Sequence, residues 1–295
     1  MSGLPAQAEE VGADGRVLAP FGRRRSEVVA NEATGGYRLV SVVDPEGPLP
    51  RAGQFYMLTG ERGWGGGGAR PYLPRAFSVA DATEVDRGVR LSFLLEDVGP
   101  GTHELARLEA GEGLLLTGPL GRPFSAPGEL NPDAAGAILV GGGIGLAPLA
   151  LWRRELASRG IPERSLLGFR DRRHSGGLDL FRCSEVRLAS EDGHAGHRGY
   201  VTDLLAVMLE GDAARSAAVY ACGPPAMLEA VRALCEERGV EAELAMESPM
   251  ACGYGACFGC AMPLREGGYM RLCVDGPVVR AAAVETALVE GAGHR

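Results

Sequence analysis

Four cysteines in the last quarter of the chain, Cys252, Cys257, Cys260 and Cys273, are spaced C-x4-C-x2-C-x12-C. This is the plant-type spacing of a 2Fe-2S cluster, in which one loop wraps both irons and a separate segment supplies the last thiolate. A structural zinc site is the second reading, but such sites usually show two close ligand pairs separated by a long gap. Here three thiols fall within nine residues and the fourth stands alone. A third reading, buried or disulfide-bonded cysteines, finds little side chain to form a core, because Gly253, Gly255 and Gly259 lie between the thiols. Glycines let the backbone curl around sulfide and aim amide N–H groups at it, which tunes a cluster's potential. The chemistry these residues predict is one-electron transfer.

Such a loop needs a scaffold, and 295 residues suffice for two domains and a small appendix. Residues 26–117 form a succession of short apolar segments (37–43, 54–58, 76–79 and 89–95) separated by Gly, Pro and Asp. Strands at this turn spacing predict an antiparallel barrel. Residues 60–70 make a Gly-rich insertion around Trp64, to which no chemistry is assigned. The pattern changes near Ala137. A buried strand at 138–140 leads through Gly141-Gly142-Gly143-Ile144-Gly145 into a helix at 146–158, with Pro148 in its first turn. A strand at 165–169, a helix at 202–209 capped by Thr202, a strand at 217–221 and a helix at 225–237 continue the alternation. That alternation predicts a parallel sheet with helices on both faces. The expected fold is therefore multidomain β plus α/β, with a flexible tail at 1–20, a barrel at 21–130, an α/β domain at 131–245 and a cluster domain with tail at 246–295.

With 45% hydrophobic and 23% charged residues the composition is that of an ordinary soluble protein. All 30 basic residues are Arg, and a net charge of −8 disfavours nucleic acid and anionic membrane as partners. The Arg23-Arg24-Arg25 cluster reads as solvated surface. No secretory signal or membrane-spanning stretch is expected, and seven cysteines without an export signal point to a reducing cytoplasm.

The glycine run at 141–145 lies where a strand meets a helix, so bare amides there suit a pyrophosphate. It departs from the strict G-x-G-x-x-G pattern, and glycines that merely permit close packing are the alternative. Arg75-Ala76-Phe77-Ser78 offers a guanidinium to a flavin pyrophosphate and a hydroxyl to the ring edge. Gly99-Pro100-Gly101-Thr102 adds open backbone and a second hydroxyl. Arg170, Arg172 and Arg173 follow the second α/β strand, where a 2′-phosphate would sit, and leave NADP open. Cys235 and Cys183 read as structural, His103 as a partly exposed structural residue, and His174, His194 and His197 as surface-loop residues.

Taken in order, Arg-x-Phe-Ser, Gly-x-Gly-Thr, Gly-Pro-Leu-Gly at 118–121, Gly-Gly-Gly-x-Gly-x-Ala-Pro at 141–148 and Cys-Gly-Pro-x-x-Met at 222–227 resemble the ferredoxin reductase superfamily. With the cysteine motif, the chain resembles the electron-transfer subunits of class 1B dihydroorotate dehydrogenases over residues 25–280. The resemblance implies an FAD-binding barrel, an NAD-binding α/β domain and a 2Fe-2S domain docked on a separate FMN-containing catalytic subunit, as a heterotetramer of two copies of each. It implies that Arg75, Ala76, Phe77, Ser78, Gly99, Gly101 and Thr102 hold FAD. Gly143, Ile144, Gly145, Cys222 and Gly223 would line the NAD site, and Cys252, Cys257, Cys260 and Cys273 would bind the cluster. Ala76 stands where the family commonly has Pro. Related subunits of sulfide dehydrogenase and of NADH-dependent ferredoxin:NADP oxidoreductase typically carry Asp at the first cluster position, so Cys252 favours the dihydroorotate assignment. No acid or base is needed for hydride transfer. A stand-alone NAD(P)H-dependent reductase feeding a ferredoxin or oxygenase, and a redox-sensing binding module, are the alternatives. Cys257→Ser should abolish the iron–sulfur absorbance of the purified chain; an unchanged spectrum would refute this set of ligands.

Overall fold

The computed structural model describes residues 10–11, 15–19, 22–65, 71–182, 185–211 and 216–288. Most of the expected tail, residues 66–70 of the insertion, and Cys183 lie outside the described residues. Glu10–Val11 (β1) and Val17–Leu18 (β2) form a small antiparallel pair. Six strands then close an antiparallel barrel in the order β3-β4-β7-β6-β5-β8. They are Arg24–Thr34 (β3), Tyr37–Asp44 (β4), Phe55–Gly60 (β5), Arg75–Val85 (β6), Gly88–Glu96 (β7) and Gly113–Leu120 (β8), with helix Pro100–Ala106 (α1) before the last. Alternation of buried and exposed residues along the first half of β3 is what one covered face demands. Every residue of β5 is buried, for a different reason. Tyr56 and Leu58 fill the barrel, whereas Phe55 and Met57 belong to a second core shared with the C-terminal segment.

After Pro127–Leu130 (α2) the alternation of strand and helix appears as expected: Gly136–Gly142 (β9), Leu146–Ser158 (α3), Glu163–Phe169 (β10), Val186–Ser190 (β11), His197–Arg198 (β12), Val201–Leu209 (α4), Ala217–Cys222 (β13), Pro225–Arg238 (α5) and Ala242–Ala245 (β14). These strands are parallel, and β13 and β14 are buried throughout, as strands covered on both faces must be. The C-terminal segment contributes Ala261–Pro263 (β15) and Tyr269–Arg271 (β16), paired antiparallel, then Leu272–Asp275 (α6) and Val278–Arg280 (β17). Strand β17 returns to the large sheet and pairs antiparallel with β14, giving the order β12-β11-β10-β9-β13-β14-β17. Among the described residues no helix is long and apolar enough to cross a membrane.

Two local expectations are corrected. Helix α4 starts at Val201, and its entry is capped by the Asp203 carboxylate, which accepts the Tyr200 N–H at 2.9 Å; Thr202 lies within the first turn. Arg24 is buried rather than solvated, forming a fork on Asp44 at 2.7–3.1 Å and donating to the Gly118 carbonyl at 2.6 Å. A buried charge is tolerable only with such pairing.

Barrel and α/β domain are joined by polar bonds around an aromatic centre. Glu155 on α3 accepts the Ala52 N–H at 2.5 Å, and Glu243 on β14 accepts the Ser125 N–H and hydroxyl at 2.9 and 2.7 Å. Burial pushes both carboxyls up, against the pull of these bonds. Between them Phe124, Trp152 and Tyr220 pack with ring centroids 5.4–5.8 Å apart, and the Tyr220 hydroxyl donates to the Ser125 carbonyl at 2.8 Å. Asp44→Ala would strand the Arg24 guanidinium without its counter-ion in the barrel. Thermal unfolding should show a loss of about 3–5 kcal/mol, and an unchanged melting temperature would contradict the buried pair.

Candidate functional site

The cysteine loop is built by backbone turns rather than regular elements. Gly253 and Gly255 adopt φ 82°, and Phe258, alone among the described non-glycine residues, also has positive φ, at 59°. These turns direct N–H groups at sulfur. Gly255 N–H donates to Cys273 Sγ at 3.1 Å and Cys273 N–H to Cys260 Sγ at 3.4 Å. Burial pushes the Cys252 thiol up, but the amides of Cys257, Tyr254 and Ala256 and the Cys257 thiol outweigh it and bring it down to about 6. Cys273 is pushed up to about 12 by burial and by the adjoining Cys260. The Cys257 thiol thus adjoins Cys252 and the Cys260 thiol adjoins Cys273, which also feels Cys252. Among the described residues no three His, Cys, Asp or Glu side chains converge on a single ion. Neighbouring thiols with N–H donors aimed at sulfur suit a binuclear iron–sulfur centre, whose irons would take the place of the thiol protons.

The loop is seated on the barrel. A Cβ on Gly253 would lie 2.5 Å from Met57 Cγ and 3.3 Å from Leu120 Cδ1, so only glycine lets the loop approach this closely. Met57 is paired across β5 and β6 with Ala76, and Phe55 with Ser78. The cysteine loop therefore sits on the strand next to the one that carries Arg75-Ala76-Phe77-Ser78. No sequence pattern announced this contact, since Met57 and Gly253 are far apart in the chain.

Arg75 packs on the first turn of α1. A Cβ on Gly101 would meet the guanidinium at 2.7–2.9 Å, Nη1 donates to the Leu73 carbonyl at 2.6 Å, and the Trp64 ring lies 5.9 Å away. Thr102 accepts the Val98 and Gly99 N–H groups at 3.0 Å and fixes the turn that presents Gly99 and Gly101. Ser78 and Phe77 are half-buried and Ala76 is exposed, leaving this strand accessible. His103 is exposed and pairs with Asp97 at 2.8 Å.

On the α/β side, Gly143–Gly145 forms a 3-10 turn between β9 and α3. Gly145 abuts the end of β13: an added Cβ would strike the Cys222 carbonyl and lie 2.6 Å from the Gly223 Cα. The structure thus brings Gly143, Ile144, Gly145, Cys222 and Gly223 together. Burial pushes the Cys222 thiol well up, so it stays neutral. The Tyr37 hydroxyl of β4 reaches within 3.4 Å of where a Cβ on Gly143 would sit, which ties the barrel to this turn. Beside it His174 is no surface-loop residue. Its ring is largely buried against Tyr37, 2.6 Å from Asp171 and 3.4 Å from Glu96. Arg170 hydrogen-bonds His174 at 2.8 Å within the α/β domain, whereas the Arg173 carbonyl accepts the Gly36 N–H at 2.6 Å and so helps join the domains.

This combination of barrel, nucleotide-type sheet and cysteine loop defines a redox module of ferredoxin-reductase type. A solved NADH-dependent reduced ferredoxin-NADP oxidoreductase is similar at 26% identity and TM-score 0.74, over 88% of this chain and 90% of that one. The ferredoxin reductase of carbazole 1,9a-dioxygenase is similar at 26% identity and TM-score 0.62, over 76% and 68%. Residues 247–285 match the iron-sulfur cluster binding domain of dihydroorotate dehydrogenase B. The dihydroorotate dehydrogenase B (NAD(+)) electron transfer subunit of Bacillus caldolyticus is 40% identical over 73% of this chain and 81% of its own length. Its counterpart from Caldanaerobacter subterraneus subsp. tengcongensis is 31% identical over 89% and 98%. The chain belongs to the family of dihydroorotate dehydrogenase B electron transfer subunits.

Gly145→Ala should separate the glycine turn from β13. NADH binding, followed by titration of flavin reduction, should weaken by roughly tenfold or more while flavin and iron–sulfur absorbance persist; unaltered NADH affinity would remove this turn from the nucleotide site.

Proposed function

We propose that this chain carries electrons from a partner subunit, which oxidises dihydroorotate at FMN, through a 2Fe-2S cluster and FAD to NAD+. The observation that supports it best is the seat of Gly253 on Met57, whose strand partner Ala76 lies between Arg75 and Ser78. It supports a short path between the cysteine loop and the flavin strand of this reading, one ladder away. When bound, the cluster supplies one-electron transfer and FAD the change from single electrons to a hydride.

The chain's own residues position these groups. Cys252, Cys257, Cys260 and Cys273 hold the cluster. Arg75, steadied against Gly101, neutralises the FAD pyrophosphate, Ser78 hydrogen-bonds the ring edge, and Gly99 and Thr102 shape the phosphate turn, with Ala76 and Phe77 as the surface beneath the flavin. Gly143, Ile144 and Gly145 accept the nucleotide phosphates on bare backbone, and Cys222 with Gly223 borders the nicotinamide as a neutral, non-nucleophilic wall. The partner covers the outer side of the cysteine loop, where Tyr254 is 48% and Phe258 63% exposed; apolar residues left open in this way mark contact surfaces. Two copies of each subunit form the working assembly.

Co-expression with the host's dihydroorotate dehydrogenase catalytic subunit tests the reading. The purified complex should reduce NAD+ with dihydroorotate, and the reaction should vanish when this chain is omitted. Tyr254→Arg should reduce co-purification with the partner while FAD stays bound. Failure of the two wild-type chains to associate, with FAD and iron–sulfur spectra intact, would point instead to a stand-alone reductase.

A further inference from the structure

Arg271 ends β16, two residues before Cys273, yet its side chain turns back across the cysteine loop. The guanidinium lies 5.4 Å from the Phe258 ring centroid, and Nη1 donates to the Gly255 carbonyl at 3.3 Å. Both targets sit at positive-φ turns of the loop, with φ 59° and 82°. A Cβ on Gly255 would be 3.1 Å from Nη1, so the guanidinium fits against bare backbone. The Gly255 carbonyl shares its peptide unit with the Ala256 N–H, one of the amides that face Cys252 sulfur. A cation on that oxygen polarises the peptide and strengthens donation by its N–H. On the other side the Asp275 carboxylate accepts the Arg271 N–H at 2.9 Å and lies 3.7 Å from Nε. The loop is therefore flanked by a fixed cation on its backbone and an anion that partly offsets it.

We propose that Arg271 is a positioning residue that braces the cysteine loop and raises the reduction potential of the 2Fe-2S cluster, with Asp275 as the opposing charge. The proposal rests on the reading that the four cysteines hold this cluster. Reduction adds one negative charge at the cluster, so a nearby cation favours the reduced form and a nearby anion the oxidised form. Arg271 and Asp275 are both about a third exposed, so solvent limits the size of each effect without altering its sign.

The test is an EPR-monitored redox titration of the full chain with cofactors bound, alongside iron and sulfide analysis. Arg271→Gln should shift the cluster potential down and Asp275→Asn should shift it up, with iron and sulfide content unchanged. Arg271→Lys keeps the charge but loses the guanidinium placed over the Phe258 ring, and should shift the potential less than Arg271→Gln. Unchanged potentials in both charge-removing variants, or shifts of the same sign, would overturn the proposal. Should Arg271→Gln fail to retain a cluster, Asp275→Asn decides alone, and a potential that is unchanged or lower refutes the role. Cys257→Ser is the separate control: iron–sulfur absorbance that survives it would sink the ligand reading, an outcome distinct from failure of the Arg271 role.

Discussion

Close approach of the cysteine loop to the barrel is the constraint on which the rest of the structure depends. A one-electron carrier is useful only near the group with which it exchanges, and here the approach is set by a single glycine packed on Met57. Strand β5 makes this possible because both its faces are used. Tyr56 and Leu58 point into the barrel, while Phe55 and Met57 enter the core that also contains Cys260, Met262, Leu272 and Cys273. Strand β6 is the next strand in the barrel, so the loop packed on β5 lies one ladder away from the Arg75–Ser78 segment. Strand β17, pairing with β14, then ties the same C-terminal segment to the large sheet, and the loop is anchored to both domains.

Relative placement of those domains follows from short polar bonds at the edge of a common core. Glu155 is half-buried and Glu243 buried, and both carboxyls are pushed up by burial, a cost offset by the backbone and hydroxyl donors they receive from Ala52 and Ser125. Their value is geometric, because such bonds form only in one arrangement. The hairpin between β3 and β4 adds a second point of contact, with Gly36 and Thr34 bonded to the Arg173–Gly177 stretch. Tyr37 then stands between barrel and glycine turn. The barrel is thereby held against the α/β sheet from two sides.

Local chemistry made much of this visible in the sequence. The α3 helix begins at Leu146, just after the glycine turn, because Pro148 suits a first turn and the preceding glycines permit the tight exit from β9. The fold class followed from the change in period near Ala137. What remained hidden was long-range. Arg24 sits in an arginine run that looks like surface, and only Asp44, Gly118 and the closed barrel make it interior. His174 lies in a polar stretch, and its burial depends on Tyr37 and Glu96 from another domain. The C-terminal segment reads as an appendix, and β17 is too short for its pattern to reveal a place in the large sheet. Within the candidate site, residue types and spacing indicated the cysteines and the glycine turn, whereas Met57 and Arg271 carry no motif at all.

Asymmetry of the cysteine loop gives it two distinct ends. At the inner end Cys252 precedes Gly253, which is packed on the barrel. At the outer end Cys257 is exposed and precedes Phe258, whose ring is open to solvent under Arg271. A loop exposed all round would let solvent reach the thiols from any side, and one buried all round could not meet a partner. On the proposed reading, the apolar inner side keeps the path toward the flavin strand dry, where low dielectric strengthens every fixed charge and N–H dipole. The outer side offers aromatic area that gains by being covered. On the same reading the route of the electrons requires no moving part, because the two ends of one short loop face different neighbours.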